Sequence, residues 1–86
     1  MEGYIGQIVI FPKNWVPANW MPCDGRRIKF KDYTPLASVL GIEEPDGMGY
    51  QGDVPEDSEF RLPRIGSNHP DFNYLICVNG NFPAKS

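Results

Sequence analysis

Trp20-Met21-Pro22-Cys23-Asp24-Gly25-Arg26-Arg27-Ile28-Lys29-Phe30 is the stretch on which the fold turns. Trp20 to Cys23 is largely apolar, Asp24-Gly25 suits the positive φ angles of a tight turn, and Arg26 to Phe30 alternates. The pattern predicts a β-hairpin centred on Asp24-Gly25. Pro22 has no N–H to donate, which confines the first arm to a sheet edge or a bulge. Upstream, Tyr4-Ile5-Gly6-Gln7-Ile8-Val9-Ile10-Phe11 is rich in β-branched and aromatic residues and stops at Pro12, so it reads as a strand whose outer edge is expected to be covered. A loop rich in Pro and Asn joins the two.

Downstream of the hairpin, Asp32 or Thr34 is placed to N-cap a helix of about two turns. Tyr33, Leu36, Val39 and Leu40 fall on one face of it, and Gly41 supplies a left-handed stop. Residues 42–58 then form an acidic, glycine-containing loop longer than ordinary connections. Phe60 and Leu62 alternate before Pro63, giving a brief strand. Asn73 to Val78 carries Tyr74-Leu75-Ile76-Cys77-Val78 unbroken, the signature of a central strand.

The chain has 86 residues, room for one core and hence one domain over 1–86. Apolar residues make up 41% and charged ones 22%, the balance of a folded globular chain, while nine Gly and nine Pro exclude long helices. The net charge of −3 repels nucleic acid polymers and anionic membranes. Seven of the eleven acids lie between Glu43 and Glu59, whereas Arg26, Arg27, Lys29 and Lys31 fall within six residues. Cys23 and Cys77 match no zinc spacing and read as two buried thiols. The apolar opening lacks a basic start and is too short to span a bilayer, so the protein is expected to be made in the cytoplasm and to leave it by lysis or within a particle.

No arrangement carries catalysis. Gly47-Met48-Gly49-Tyr50-Gln51-Gly52 matches the dinucleotide fingerprint in letters, but no strand precedes it, no helix follows, and the surrounding carboxylates repel phosphate. Asp46, Asp53, Glu56 and Asp57 lack the ligand spacing of a calcium loop. His69 sits in a turn composition with no thiol predicted beside it. The expectation is therefore no catalytic residue, no metal and no cofactor. What remains are Trp15 and Tyr50 in loops, and Arg26, Arg27, Arg61 and Arg64, residue types that anchor binding interfaces. Trp20 and Tyr74 are assigned to the core.

Set in order, Gly6-x-Ile8-x-x-Phe11, Pro17-x-x-Trp20-x-x-Cys23-Asp24-Gly25, Tyr33-x-x-Leu36-x-x-Val39-Leu40-Gly41 and Phe60-x-Leu62-Pro63 resemble the phage tail collar domain family. The ending Asn73-Tyr74-Leu75-Ile76-Cys77-Val78-x-Gly80-x-Phe82-Pro83 is similar to that of the family's short stand-alone members. The resemblance implies a small, mostly-β α+β domain with one short helix, of the kind found in trimeric short tail fibres, with binding or assembly functions and no known catalysis. Two departures stand out. Leu62-Pro63-Arg64-Ile65-Gly66 replaces the family's usual Leu-Pro-Asp-Leu continuation, and the long insertion that carries fibre-specific contacts is missing. No shaft repeat or coiled coil is present either, so this chain alone is not expected to form a fibre.

The expected function is that of a non-enzymatic module of the virion or tail. Its partners would be copies of itself, as a trimer or a multiple of three, and other virion proteins. The alternative is a free protein of the host cytoplasm that captures a small anionic, nucleotide-like ligand or a host protein, for example as a host-defence inhibitor. In that case Arg26 or Arg27, Arg61 or Arg64, and Trp15 or Tyr50 would form a site between subunits, guanidinium binding phosphate and an aromatic face stacking a base.

Overall fold

Phe72–Cys77, which holds most of the apolar run Tyr74 to Val78, lies at the centre of the larger sheet. The computed structural model describes residues 2–42, 57–66 and 69–83. Within them the elements run β1 (Ile8–Pro12), β2 (Trp20–Pro22), β3 (Arg27–Lys29), α1 (Thr34–Val39), β4 (Glu59–Arg61) and β5 (Phe72–Cys77). β1 and β2 flank β5, both antiparallel to it, and β3 pairs with β4 in a separate antiparallel ribbon. The architecture is the small α+β domain that the sequence implied.

The predicted hairpin is corrected. β2 and β3 lie in different sheets, and Asp24-Gly25 is a corner between them. The Cys23 N–H donates to the Tyr74 carbonyl, the Ile65 N–H to the Cys23 carbonyl and the Leu62 N–H to the Arg26 carbonyl, each at 2.9 Å. Each arm thus finds a more apolar partner than the other arm offers: β2 runs along buried Leu75, Ile76 and Cys77, and Ile28 faces the fully buried Phe60. The local geometry was nevertheless read correctly, since Gly25 sits at φ +77°. An Asp24 carboxylate oxygen accepts the Arg26 N–H at 3.0 Å, closing a local turn that sends β3 out of the first sheet.

Six residues cannot sustain a helix alone. α1 is held by Leu36 and Ala37, which are fully buried, and by its ending. The Ile42 N–H donates to the Ala37 carbonyl at 2.8 Å and the Gly41 N–H to the Ser38 carbonyl at 3.1 Å, with Gly41 at φ +78°. That is a Schellman stop, as the glycine predicted. The start differs from expectation: the N-cap is Tyr33, without a side-chain hydrogen bond, and the Thr34 hydroxyl donates to the Phe30 carbonyl instead. The buried face is also rotated, so Ala37 is inside while Val39 is exposed and lies over Gly6.

Between the sheet and the ribbon, Ile28, Phe30, Leu36, Phe60, Leu62 and Ile76 are among the residues forming the main core. Phe30 meets Phe60 edge-on at 5.9 Å between ring centroids. Truncating a fully buried ring such as Phe60 to Ala costs about 3–5 kcal/mol. The opposite sheet face carries a smaller cluster of Trp20, Leu75 and Cys77, with Val9 and Phe11 against it.

Candidate functional site

The four arginines singled out in the sequence gather around the Asp24-Gly25 corner and the ribbon. In the β3–β4 register Arg27 is opposite Arg61 and Lys29 opposite Glu59, while Ile28 and Phe60 turn inward. Period-2 alternation therefore puts two guanidinium groups side by side on the outer face. Asp24 forms an antiparallel bridge with Arg64, whose side-chain stem passes over Gly25: a Cβ built on the glycine would stand 3.4 Å from the Arg64 Cβ.

Arg26 is committed elsewhere. Its Nε lies 3.1 Å and its Nη2 3.0 Å from the two Asp24 carboxylate oxygens, a bidentate fork within one turn. The side-chain hydrogen bond from Arg26 holds the Asp24 carboxyl below the usual carboxylate range, and the same bond raises Arg26. The pair is local, two residues apart, and sequence reading overlooked it although Asp-Gly-Arg invites it. Arg27, Arg61 and Arg64 make up the rest of the arginine cluster.

Trp15 is not part of that surface. It is 64% exposed and lines an open cleft of about 480 Å³ with Pro12, Lys13, Asn14, Pro70 and Asp71. No arginine lines this cleft, and its described lining includes both Lys13 and Asp71. Tyr50, and with it the glycine loop and most of residues 42–58, lies outside the described residues. The far end of that segment is fixed: the Ser58 carbonyl accepts the Phe30 N–H at 2.8 Å, and the Ser58 hydroxyl is buried without a hydrogen-bond partner among the described residues.

Cys23 and Cys77 are free, buried thiols pushed up by burial, Cys23 also by the charge of Asp24. Such thiols are poor nucleophiles at neutral pH. The His69 Nδ1 accepts the Asp71 N–H at 3.1 Å and its ring meets Phe72 at 4.9 Å, so the imidazole is part of a turn. Among the described residues no three His, Cys, Asp or Glu side chains group as a metal site. No described helix is long and apolar enough to cross a membrane.

Sequence reasoning missed one feature altogether. β1 is an edge strand, and its outer edge is uncovered among the described residues. The cover expected for this edge is not supplied by the described residues. Ile8 and Ile10 are 41% and 61% exposed there. Covering both would need a partner.

Comparison with known proteins agrees with the order of these elements. The family model of the Phage Tail Collar Domain matches residues 6–70, from the start of β1 through the corner, the helix and the ribbon to the turn before β5. No curated protein and no solved structure matches the chain significantly. Since the family match spans well over half of the 86 residues, the chain belongs to the phage tail collar domain family and is a tail-associated structural module of a bacteriophage.

Proposed function

We propose that the chain is a single domain over residues 1–86 that acts without catalysis, as a homo-oligomeric collar module built into the virion or tail. A trimer or a multiple of three is the expected state. The observation that carries assembly is exposed apolar surface: Tyr4, Ile10, Trp15 and Phe82 are each more than half exposed. A chain this short gains stability by burying such surface against copies of itself. Light scattering tests the assembly, and a monodisperse monomer at tens of micromolar, where even weak contacts form, overturns it. Mass spectrometry of purified particles tests the location. Stoichiometric presence is expected, and detection only in infected-cell lysate overturns the virion role.

A second reading rests on Arg27 and Arg61 standing opposite each other with Arg64 at the corner. Guanidinium forks match the oxygens of a phosphate, and the register sets these side chains on one face of the ribbon. The chain would then be a free host-cytoplasmic protein that captures a small nucleotide-like anion or a host protein and so blunts host defence. Trp15 or Tyr50 of a neighbouring subunit would stack the base, while Arg26 would support the corner. Calorimetry against a panel of nucleotides, with Arg27→Ala and Arg64→Ala variants, tests it. No heat with any member, or binding that survives both substitutions, removes this reading.

A further inference from the structure

We infer that β1 is a self-association edge, pairing antiparallel across a two-fold axis with β1 of a second copy, so that Ile8 of each copy faces Ile10 of the other. The inference rests on the assembly reading above and names its surface.

In the β1–β5 ladder the Lys13 N–H donates to the Asp71 carbonyl and the Cys77 N–H to the Gln7 carbonyl, both at 2.9 Å. The odd-numbered residues of β1 therefore direct their backbone groups at β5, and the N–H and C=O of Ile8 and Ile10 point to the open edge. No backbone partner meets them among the described residues. The other edges are managed. β2 is three residues long and ends in Pro22, and β3 and β4 carry Arg27, Lys29, Glu59 and Arg61. β1, Ile-Val-Ile-Phe-Pro, is longer and has no charge, so it is the strand on which another would template.

Self-pairing selects one register. The Gly6 N–H is already given to the Cys77 carbonyl, Pro12 has no N–H, and the Pro12 carbonyl already accepts the Trp15 N–H. Setting Ile8 opposite Ile8 would leave the Ile10 carbonyl without a donor. Setting Ile10 opposite Ile10 would leave the Ile8 carbonyl without one and load the Pro12 carbonyl twice. Only Ile8 opposite Ile10 matches every outward N–H and C=O of both residues, and it places Gly6 against Pro12, where neither has a donor to waste. On one face the four isoleucines then form a cluster, and on the other Val9 meets Val9. The strand is thus self-complementary in hydrogen bonding, in shape and in its lack of charge, which points to a second copy as occupant. The same two-fold brings the Tyr4 end of one β1 to the Trp15 end of the other. It is compatible with a multiple of three, because two-folds join trimers into hexamers.

A Val9→Cys variant tests the register. In the inferred pairing Val9 is a non-hydrogen-bonded pair on the axis, with Cα atoms about 4.5 Å apart, within the range of a disulfide. Mild oxidation with oxidised glutathione should convert Val9→Cys to a reducible dimer, while the native chain, whose two thiols are buried, should not cross-link. Adding Ile10→Lys, at a mostly exposed position that the isolated domain tolerates, should weaken association at least about tenfold, since both symmetry-related contacts are lost. Circular dichroism melts verify that each variant folds. An oligomeric native chain whose Val9→Cys variant stays uncross-linked, or cross-links equally well with Ile10→Lys, overturns the β1 pairing alone. A native chain that is monomeric by light scattering overturns both this inference and the assembly reading.

Discussion

Replacing Gly25 by Val should destabilise the domain by about 1–3 kcal/mol, the cost of holding a β-branched residue at positive φ. Two observations place the effect. Gly25 sits at φ +77°, and the Arg64 stem lies 3.4–3.7 Å from where a Cβ would be. The added methyls of Val must displace that stem as well as accept the strain, which favours the upper half of the range. At about 0.05–0.15 kcal/mol per residue the whole chain holds about 4–13 kcal/mol, so the loss is a sizeable fraction. In a domain of this size each kcal/mol moves the midpoint by about 4–8 °C, and the Val variant should melt about 8–24 °C lower. Gly25→Asn is the paired control, because Asn accepts the left-handed region and should lose less than half as much. Thermal melts by circular dichroism read both. A Val variant that melts with the native protein, or an Asn variant as damaged as Val, would refute the argument that this corner depends on left-handed backbone.

Ser58→Ala should leave the midpoint unchanged or raise it by a few degrees, because it removes a buried hydroxyl that has no partner; a clear fall would show that the hydroxyl is bonded. Stability should decline as pH rises above about 8.5, where unfolded thiols ionise while Cys23 and Cys77 stay protonated, with a limiting slope of about 2.7 kcal/mol per pH unit for two sites. Denaturant melts in reductant should show this slope, and it should vanish in Cys23→Ala/Cys77→Ala. On the acid side the Asp24 carboxyl is lower in the folded chain, so its contribution is complete above about pH 4 and is lost as pH falls through the folded value. Both partners are 47% exposed, which limits the effect to about 0.2–1 kcal/mol and makes it sensitive to salt; Asp24→Asn should remove that portion of the acid limb.

What the sequence revealed of the fold follows from which signals are local. Gly41 and Gly25 were readable because a positive φ is a property of one residue, and the central position of Phe72–Cys77 was readable from the run Tyr74 to Val78, which suits a strand flanked on both sides. The partner of each strand was not. Alternation in Arg26 to Phe30 states which side chains point inward, and it is satisfied equally by a hairpin with β2 or by a ribbon with β4. The choice was made by residues far away in the chain, Phe60 opposite Ile28 and Leu75 opposite Pro22. The same holds for the helix face: Val39 has the apolar character of a core residue, but six residues leave no room for a full stripe, and small Ala37 takes the inside position.

The candidate surface divides along the same line. Arg26, Arg27, Arg61 and Arg64 could be suspected of proximity only once β3 and β4 were paired, and Arg26 then proved to belong to Asp24 through a contact two residues long. Trp15 was grouped with them by residue type, which carries no information on distance, and the fold puts it in a cleft without arginine. β1 is the most instructive case. Ile8-Val9-Ile10-Phe11 reads as a strand with a covered outer edge, yet among the described residues the chain supplies β5 on one side and no partner on the other. An apolar strand that the monomer leaves at an edge poses a question of solubility that edge lysines or a bulge would ordinarily answer. Here the strand has neither at Ile8 to Phe11, while its backbone pattern matches its own inverse in one register. A collar module that must be built into a larger particle has a use for such an edge, since the same surface that threatens aggregation becomes specific once hydrogen bonding permits a single self-pairing.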